Sequence, residues 1–116
     1  MSEVIVFEKR TCTTCKKLAQ LLEERGIPFD RVEYHVEGLT EPQIRELLGK
    51  AGITARDALR TREPLVKELG LTDEGVSEDR LIALMAEHPQ LLQRPIVVRG
   101  DRAVLARPVE KVLEIL

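Results

Sequence analysis

Tryptophan is absent from this 116-residue chain, and its aromatic residues are one tyrosine and two phenylalanines. A surface that stacks nucleic-acid bases needs more rings than that. No excess of one charge is present either: 18 Lys and Arg stand against 20 Asp and Glu, a formal net charge of −2. That balance gives no bulk electrostatic ground for binding nucleic acid. Long hydrophobic runs are missing. Met1-Ser2-Glu3 leads into a four-residue apolar run, which reads as neither a signal peptide nor a membrane span. The expected setting is therefore the reducing cytoplasm, with no membrane partner, where a disulfide is usually transient. His35 and His88 are far in sequence from both cysteines and show no ligand spacing, so no metal site is expected. There is no repeat, low-complexity tract or linker, and the length suits a single domain over residues 1–116.

What the chain does have is a pair of cysteines, its only two, in Thr11-Cys12-Thr13-Thr14-Cys15-Lys16-Lys17. They follow the apolar run Val4-Ile5-Val6-Phe7, where a strand hands over to a helix. Residues at i and i+3 share a helix face, so the two sulfurs can approach within disulfide reach. A loop that short stabilises a fold little; its use lies in opening and closing. In a chain without secretory features, Cys-x-x-Cys beside a strand-helix-strand pattern reads as a redox motif. Taken alone, Cys15 could equally be a small buried hydrophobe.

Periodicity and caps outline the elements. Val4 to Phe7 is continuously apolar, as in a strand covered on both faces. A helix is expected from about Thr14 to Arg25, with Leu18, Leu21 and Leu22 inward, stopped by Gly26 and Pro28. Phe29 to Tyr34 reads as a second strand, with Phe29 and Tyr34 as core residues. Thr40 and Gln43 form a capping box for a helix that turns Ile44, Leu47, Leu48 and Ala51 inward and ends at Gly52. Thr54 to Gly70 reads as short helical turns around Arg60, Arg62 and Pro64. Ser77, followed by Glu78 and Asp79, caps a helix running to His88-Pro89, where His88 suits the helix dipole. Ile96–Val98 and Ala103–Leu105 form a hairpin around Arg99-Gly100-Asp101-Arg102. Pro108 opens a last helix bearing Val109, Val112, Leu113 and Leu116. The short crossover favours parallel pairing of the first two strands, and the hairpin adds antiparallel ones. The expected fold is thus α/β: a thioredoxin-like (glutaredoxin-like) core with a mixed four-stranded sheet and a central all-helical insertion over roughly residues 40–90.

These residues also carry a resemblance. Arg94-Pro95-Ile96-Val97-Val98, Ala106-Arg107-Pro108 and the ending Val112-Leu113-Glu114-Ile115-Leu116 are similar to the C-terminal part of glutaredoxin-dependent arsenate reductases. Asp79-Arg80-Leu81-Ile82 through Glu87-His88-Pro89 resembles the stretch before that strand in the same family. Cys-x-x-Cys-Lys-Lys also resembles the Spx-type redox regulators of the same superfamily. The resemblance spans essentially the whole chain. It implies a nucleophilic cysteine, Cys12, at the N-terminus of the first helix, where unpaired N–H groups and the helix dipole favour a thiolate. Arg10, Lys16 and Lys17 add positive charge nearby. The family attacks arsenate with this thiolate and completes the reduction with glutathione and glutaredoxin. Its anion-binding arginines correspond to Arg94, Arg107 and either Arg60 or Arg62, Arg60 being slightly preferred. The resemblance further implies a cis peptide bond before Pro95.

The chain departs from those reductases at two positions. They carry a histidine four residues before the nucleophile, where this chain has Glu8, whose charge would oppose a nearby thiolate. They usually carry a hydroxyl where this chain has Cys15, which as a second thiol can resolve an adduct internally. The expected activity is a thiol-redox reaction on an oxyanion or an oxidised thiol, with no bound cofactor and with glutathione, glutaredoxin or thioredoxin as electron donor. The alternatives are an Spx-like regulator that binds RNA polymerase, or a general thiol–disulfide reductase. An intact Arg94/Arg107 pair favours the enzyme, because the Spx-type pattern lacks the second arginine-proline.

Overall fold

The computed structural model describes residues 3–9 and 11–116. A first strand, β1 (Val4–Glu8), leads through a short loop into α1 (Thr13–Glu24) and back to β2 (Phe29–Glu33). β1 and β2 pair in parallel, Val4 opposite Phe29 and Glu8 opposite Glu33. After α1 the chain turns at Gly26, whose φ of 68° suits a residue without a Cβ, and Pro28 prevents helix continuation.

From β2 to β3 (Ile96–Arg99) the described chain holds no strand beyond an isolated Leu59–Leu92 bridge. Its helices are α2 (Tyr34–Glu37), α3 (Glu41–Ala51), α4 (Pro64–Glu68) and α5 (Glu78–Glu87), followed by a 3₁₀ turn at Pro89–Leu91. The caps fall where local chemistry puts them. The Thr40 hydroxyl accepts from the Gln43 N–H while the Gln43 side chain accepts from the Thr40 N–H, and Gly52 closes α3 in the left-handed region. The Ser77 hydroxyl accepts from the Arg80 N–H at the start of α5. Such caps are each worth about 1 kcal/mol.

β3 pairs antiparallel with β1 and with β4 (Arg102–Leu105), so the sheet order is β2-β1-β3-β4. Arg99 and Arg102 are strand residues, and the hairpin loop is Gly100-Asp101 alone. A central β1, a parallel β2 reached through α1, and an antiparallel hairpin on its other side make this a thioredoxin-like α/β fold.

The sheet separates two apolar clusters. On one face Val4, Val6, Val97 and Ala106 pack with Leu18 and Leu22 of α1 and with Val112 and Ile115. On the other, Ile96, Val98 and Phe7 meet α3, α5 and Tyr34. Both faces of β1 are therefore covered, as its apolar run requires. Truncating one of these fully buried side chains, Leu22→Ala for example, costs about 2–5 kcal/mol.

Two sequence expectations are corrected. Tyr34 is not a strand residue: the strand stops at Glu33 and Tyr34 opens α2, its hydroxyl donating to the Leu92 carbonyl at 2.7 Å. The final helix is a 3₁₀ helix, Val109–Glu114. With three residues per turn, Val109, Val112 and Ile115 share the inner face. Leu113, expected inside on an α-helical period, is 42% exposed.

Candidate active site

The site begins with the cap of α1. Cys12 is the N-cap residue, in extended backbone geometry, and its Sγ accepts a hydrogen bond from the Cys15 N–H at 3.4 Å. The loop before it is closed by the Cys12 N–H donating to the Lys9 carbonyl at 3.0 Å. A sulfur that caps a helix faces unpaired backbone donors, which favour its anion. The two cysteines are free thiols, Cys12 half-buried and Cys15 buried.

Their acidities diverge. Burial pushes the Cys12 thiol up, but hydrogen bonds from the Cys15 thiol and backbone N–H, together with the neighbouring Arg94, outweigh it and leave Cys12 below its ordinary value. Burial pushes the Cys15 thiol up to about 12, reinforced by its hydrogen bond to Cys12 and by the charges of Cys12 and Glu8. Cys12 is the more acidic thiol of the pair and Cys15 the less acidic.

Backbone pairing brings the arginines to this sulfur. The isolated bridge at Leu59 and Leu92 is flanked by the Arg60 N–H donating to the Leu91 carbonyl and the Gln93 N–H donating to the Ala58 carbonyl, each at 2.8 Å. That lays Arg60 beside the segment entering β3. The Ala106 N–H donates to the Pro95 carbonyl at 2.9 Å, joining the exit of β4 to the entry of β3. Arg107 Nη1 then donates to the Arg94 carbonyl at 2.9 Å. The Arg94–Pro95 peptide bond is cis, as expected; the Arg107–Pro108 bond is also cis, which was not anticipated.

The result is a cleft of about 280 Å³ in front of Cys12, lined by Arg60, Arg62, Arg94 and Arg107 with Lys9 and the threonines at 11, 13 and 14. No Asp or Glu is among its described lining residues. Arg94 is only 5% exposed, and its Nε and Nη1 are buried without a hydrogen-bond partner. Arg60 Nε is also unpartnered within hydrogen-bond distance; its nearest carboxylate, Glu63, lies 3.6 Å away. Burial and the like charges of Arg94, Arg107 and Arg62 lower the Arg60 pKa, with Glu63 opposing them. Buried donors without partners are costly. A cluster of them around a thiolate fits a small oxyanion that accepts several hydrogen bonds at once.

All five expected site residues, Cys12, Cys15, Arg60, Arg94 and Arg107, are brought together at this end of the sheet. The preference for Arg60 over Arg62 is not needed, since both line the cleft: Arg60 is the half-buried one and Arg62 is exposed. Arg10 lies outside the described residues. Glu8 does not sit as a free charge against Cys12. It is buried, ion-paired with Arg31 (Nε to Oε1, 3.4 Å), and its charge reaches Cys15.

Two neighbours were missed by the sequence. His35 is distant along the chain but stands beside Arg94, Lys9 and Arg60. Burial and those cations hold its pKa down at about 4, and its buried Nε2 has no partner. Tyr34 is fully buried next to Arg94 and both cysteines, and burial pushes its phenol well above the ordinary range. No sequence signal marks either residue, because both reach the site through the turn of α2. A separate groove of about 200 Å³ over Ile5, Phe7 and Leu47 contains neither cysteine nor arginine. Among the described residues, no group of three His, Cys, Asp or Glu is arranged to hold a metal, and no helix is long and apolar enough to cross a membrane.

A helix-capping, acidified cysteine paired with a buried thiol on a thioredoxin-like sheet defines a thiol-dependent oxidoreductase. The chain belongs to the ArsC family, whose model matches residues 7–115. It is 34% identical to an arsenate reductase of Neisseria meningitidis over 117 residues, covering 100% of both chains. It is 36% identical over 113 residues to an arsenate reductase of Synechocystis, ArsI2, covering 97% of this chain and 81% of that one. Among solved structures, an arsenate reductase from Vibrio cholerae superposes with a TM-score of 0.93 at 38% identity, covering 97% of each chain.

Proposed function

We propose that this protein reduces arsenate, with Cys12 as nucleophile and Cys15 as resolving thiol. The observation that carries the reading is that Arg60, Arg62, Arg94 and Arg107 line one cleft with Cys12, with no carboxylate among its described lining residues. A thiolate and an arsenate dianion repel, and attack requires that charge to be offset as the sulfur–arsenic bond forms. The buried Nε and Nη1 of Arg94, both without a partner, support this directly, because a planar guanidinium fork can hold two oxygens of the oxyanion.

In the proposed sequence, the Cys12 thiolate attacks arsenic and one oxygen leaves as water after taking up protons. A second thiol then attacks the Cys12 sulfur. The sulfur–sulfur bond forms as the sulfur–arsenic bond breaks, and its electron pair goes to arsenic, which departs as arsenite. Cys15 is close enough along α1 to be that second thiol; glutathione would be the external equivalent. A glutaredoxin or thioredoxin would return the disulfide to thiols, with the cytoplasm as the setting that keeps such donors reduced. This reading treats residues 1–116 as one catalytic domain.

A general thiol–disulfide or deglutathionylating reductase draws on the same pair, and the buried Cys15 is the observation in its favour. An RNA-polymerase-binding regulator is not favoured, because Arg107 lines the cleft together with Arg94. Anion protection separates an oxyanion enzyme from a general reductase. Arsenate, and phosphate as its non-reducible analogue, should slow alkylation of Cys12 in wild type and lose that effect in Arg94→Lys. Failure of millimolar arsenate to protect Cys12 would leave the general reductase reading in its place.

A further inference from the structure

Two buried acids end the same interface, and the sequence of steps above gives a task to one of them. Along β1 the buried residues are Val4, Val6 and Glu8, every second position, so all three turn to one face of the sheet. The buried residues of α1 are Cys15, Leu18 and Leu22, one stripe of the helix. Val4 and Val6 pack with Leu18 and Leu22 in a single cluster. The chain reverses between strand and helix, so the C-terminal end of β1 meets the N-terminal end of α1. The two rows therefore close on Glu8 and Cys15, which are 4% and 1% exposed.

We propose that Glu8 is the base that takes the Cys15 thiol proton as Cys15 attacks Cys12, the step that closes the Cys12–Cys15 disulfide. The inference deepens the reading above and rests on it. The charged and titratable groups around the pair are few. Glu8 faces Arg31 and Glu33 from β2, and Cys15 faces Cys12, the Lys9 backbone and the buried Tyr34, with Arg94 beyond them against Cys12 and Tyr34.

The need for a base follows from burial. Burial, the largest cause of the rise, holds the Cys15 thiol above its ordinary value, so little of it is ionised at pH 7. Ionising Cys15 beside an ionised Glu8 would place two negative charges in one dry pocket. Moving the proton from Cys15 to Glu8 avoids this, because the pocket then holds a single charge before and after. Glu8 is suited to receive it: burial raises its pKa, Arg31 pulls it down and Glu33 adds to the rise, so it is a stronger base than an exposed carboxylate.

The step balances with a mixed disulfide between Cys12 and a small thiol as the oxidised partner. The Cys15 S–H bond breaks and its proton goes to the Glu8 carboxylate, directly or through one water. The Cys15 sulfur bonds to Cys12, and the bond from Cys12 to the small thiol breaks with its electron pair on the leaving thiolate. Cys15 is oxidised and the small thiol is released reduced. Glu8 afterwards returns its proton to solvent.

The test follows two releases of a coloured thiolate from an equimolar nitrobenzoate disulfide by stopped flow. The first release reports attack by Cys12 and the second reports closure by Cys15. Glu8→Gln should slow the second phase relative to the first at least tenfold at pH 7, and the gap should close near pH 11, where hydroxide takes the proton. Arg31→Leu, at a half-exposed position, keeps the carboxylate but removes the charge that lowers its pKa. It should move the inflection of the second-phase pH profile upward, and it remains informative if Glu8→Gln fails to fold by circular dichroism. Unchanged phase ratios in Glu8→Gln, or an unmoved inflection in Arg31→Leu, overturn the proposal alone. A missing first phase in wild type, or a second phase that survives Cys15→Ser, overturns the assignment of the cysteines and the proposal with it.

Discussion

Arg107 holds the backbone of Arg94: its Nη1 donates to the Arg94 carbonyl at 2.9 Å, across the mouth of the β3–β4 hairpin. One arginine thus positions the segment that presents the other to Cys12. Arg107→Ala removes a charged hydrogen bond worth about 1.5–3 kcal/mol and leaves the carbonyl of a half-buried segment unpaired. It should lower the melting temperature as well as the apparent affinity for arsenate. Arg94→Lys keeps the charge and loses the fork, so it should cut kcat/KM for arsenate roughly tenfold or more while Cys12 still forms disulfides. Equal kcat/KM in Arg94→Lys and wild type would count against bidentate anion binding.

The split between the two thiols predicts a one-site alkylation pattern. At pH 7 iodoacetamide should modify Cys12 and leave Cys15 untouched, since Cys12 is half-buried and acidified whereas Cys15 is buried with its thiol near 12. Mild peroxide should then yield the internal disulfide in wild type and none in Cys12→Ser. Peptide mass mapping reads both results, and labelling of Cys15 ahead of Cys12 would reverse the roles.

His35 should leave a mark on acid stability. Its pKa is held at about 4 in the fold, below its ordinary 6.5, so between those values the unfolded chain binds the proton and the folded chain does not. By linkage, the stability that His35 contributes is present above pH 6.5 and is lost as pH falls toward 4. Thermal melts across that range should therefore show a smaller acid loss in His35→Gln than in wild type. Parallel curves for the two proteins would contradict the half-buried, cation-flanked setting.

Glu8 has the opposite sign. Burial holds its carboxyl above the ordinary 4.5, so the folded state keeps a proton that the unfolded state releases, and stability falls as pH rises through that window. Relative to wild type, Glu8→Gln should gain stability as pH is raised from 4.5 to neutral. If the variant loses ground instead, the ion pair with Arg31 outweighs the desolvation of the carboxylate.

Local chemistry made much of this protein legible in its residues. Thr40 with Gln43, Ser77, Gly26 and Gly52 mark helix ends because a cap is decided within four residues. Cys12, Arg94 and Arg107 stand in short motifs whose resemblance to the arsenate reductases implied their meeting in one cleft. Other features depend on partners far along the chain. Tyr34 leaves the strand pattern because its hydroxyl reaches Leu92, 58 positions on, and that turn carries His35 to the arginines. The slight preference for Arg60 over Arg62 rested on motif spacing, which does not reveal that both line the cleft. The exchange of Leu113 for Ile115 on the inner face reflects a 3₁₀ period that residue types do not encode.

Arsenate-dependent NADPH oxidation, coupled in parallel through glutathione with glutaredoxin and through thioredoxin, tests the central claim most directly. Wild type should turn over with at least one donor system, Cys12→Ser should be inactive with both, and Cys15→Ser should retain turnover only where glutathione can replace the resolving thiol. Wild-type protein that reduces a mixed disulfide yet shows no arsenate-dependent oxidation with either system would contradict the account.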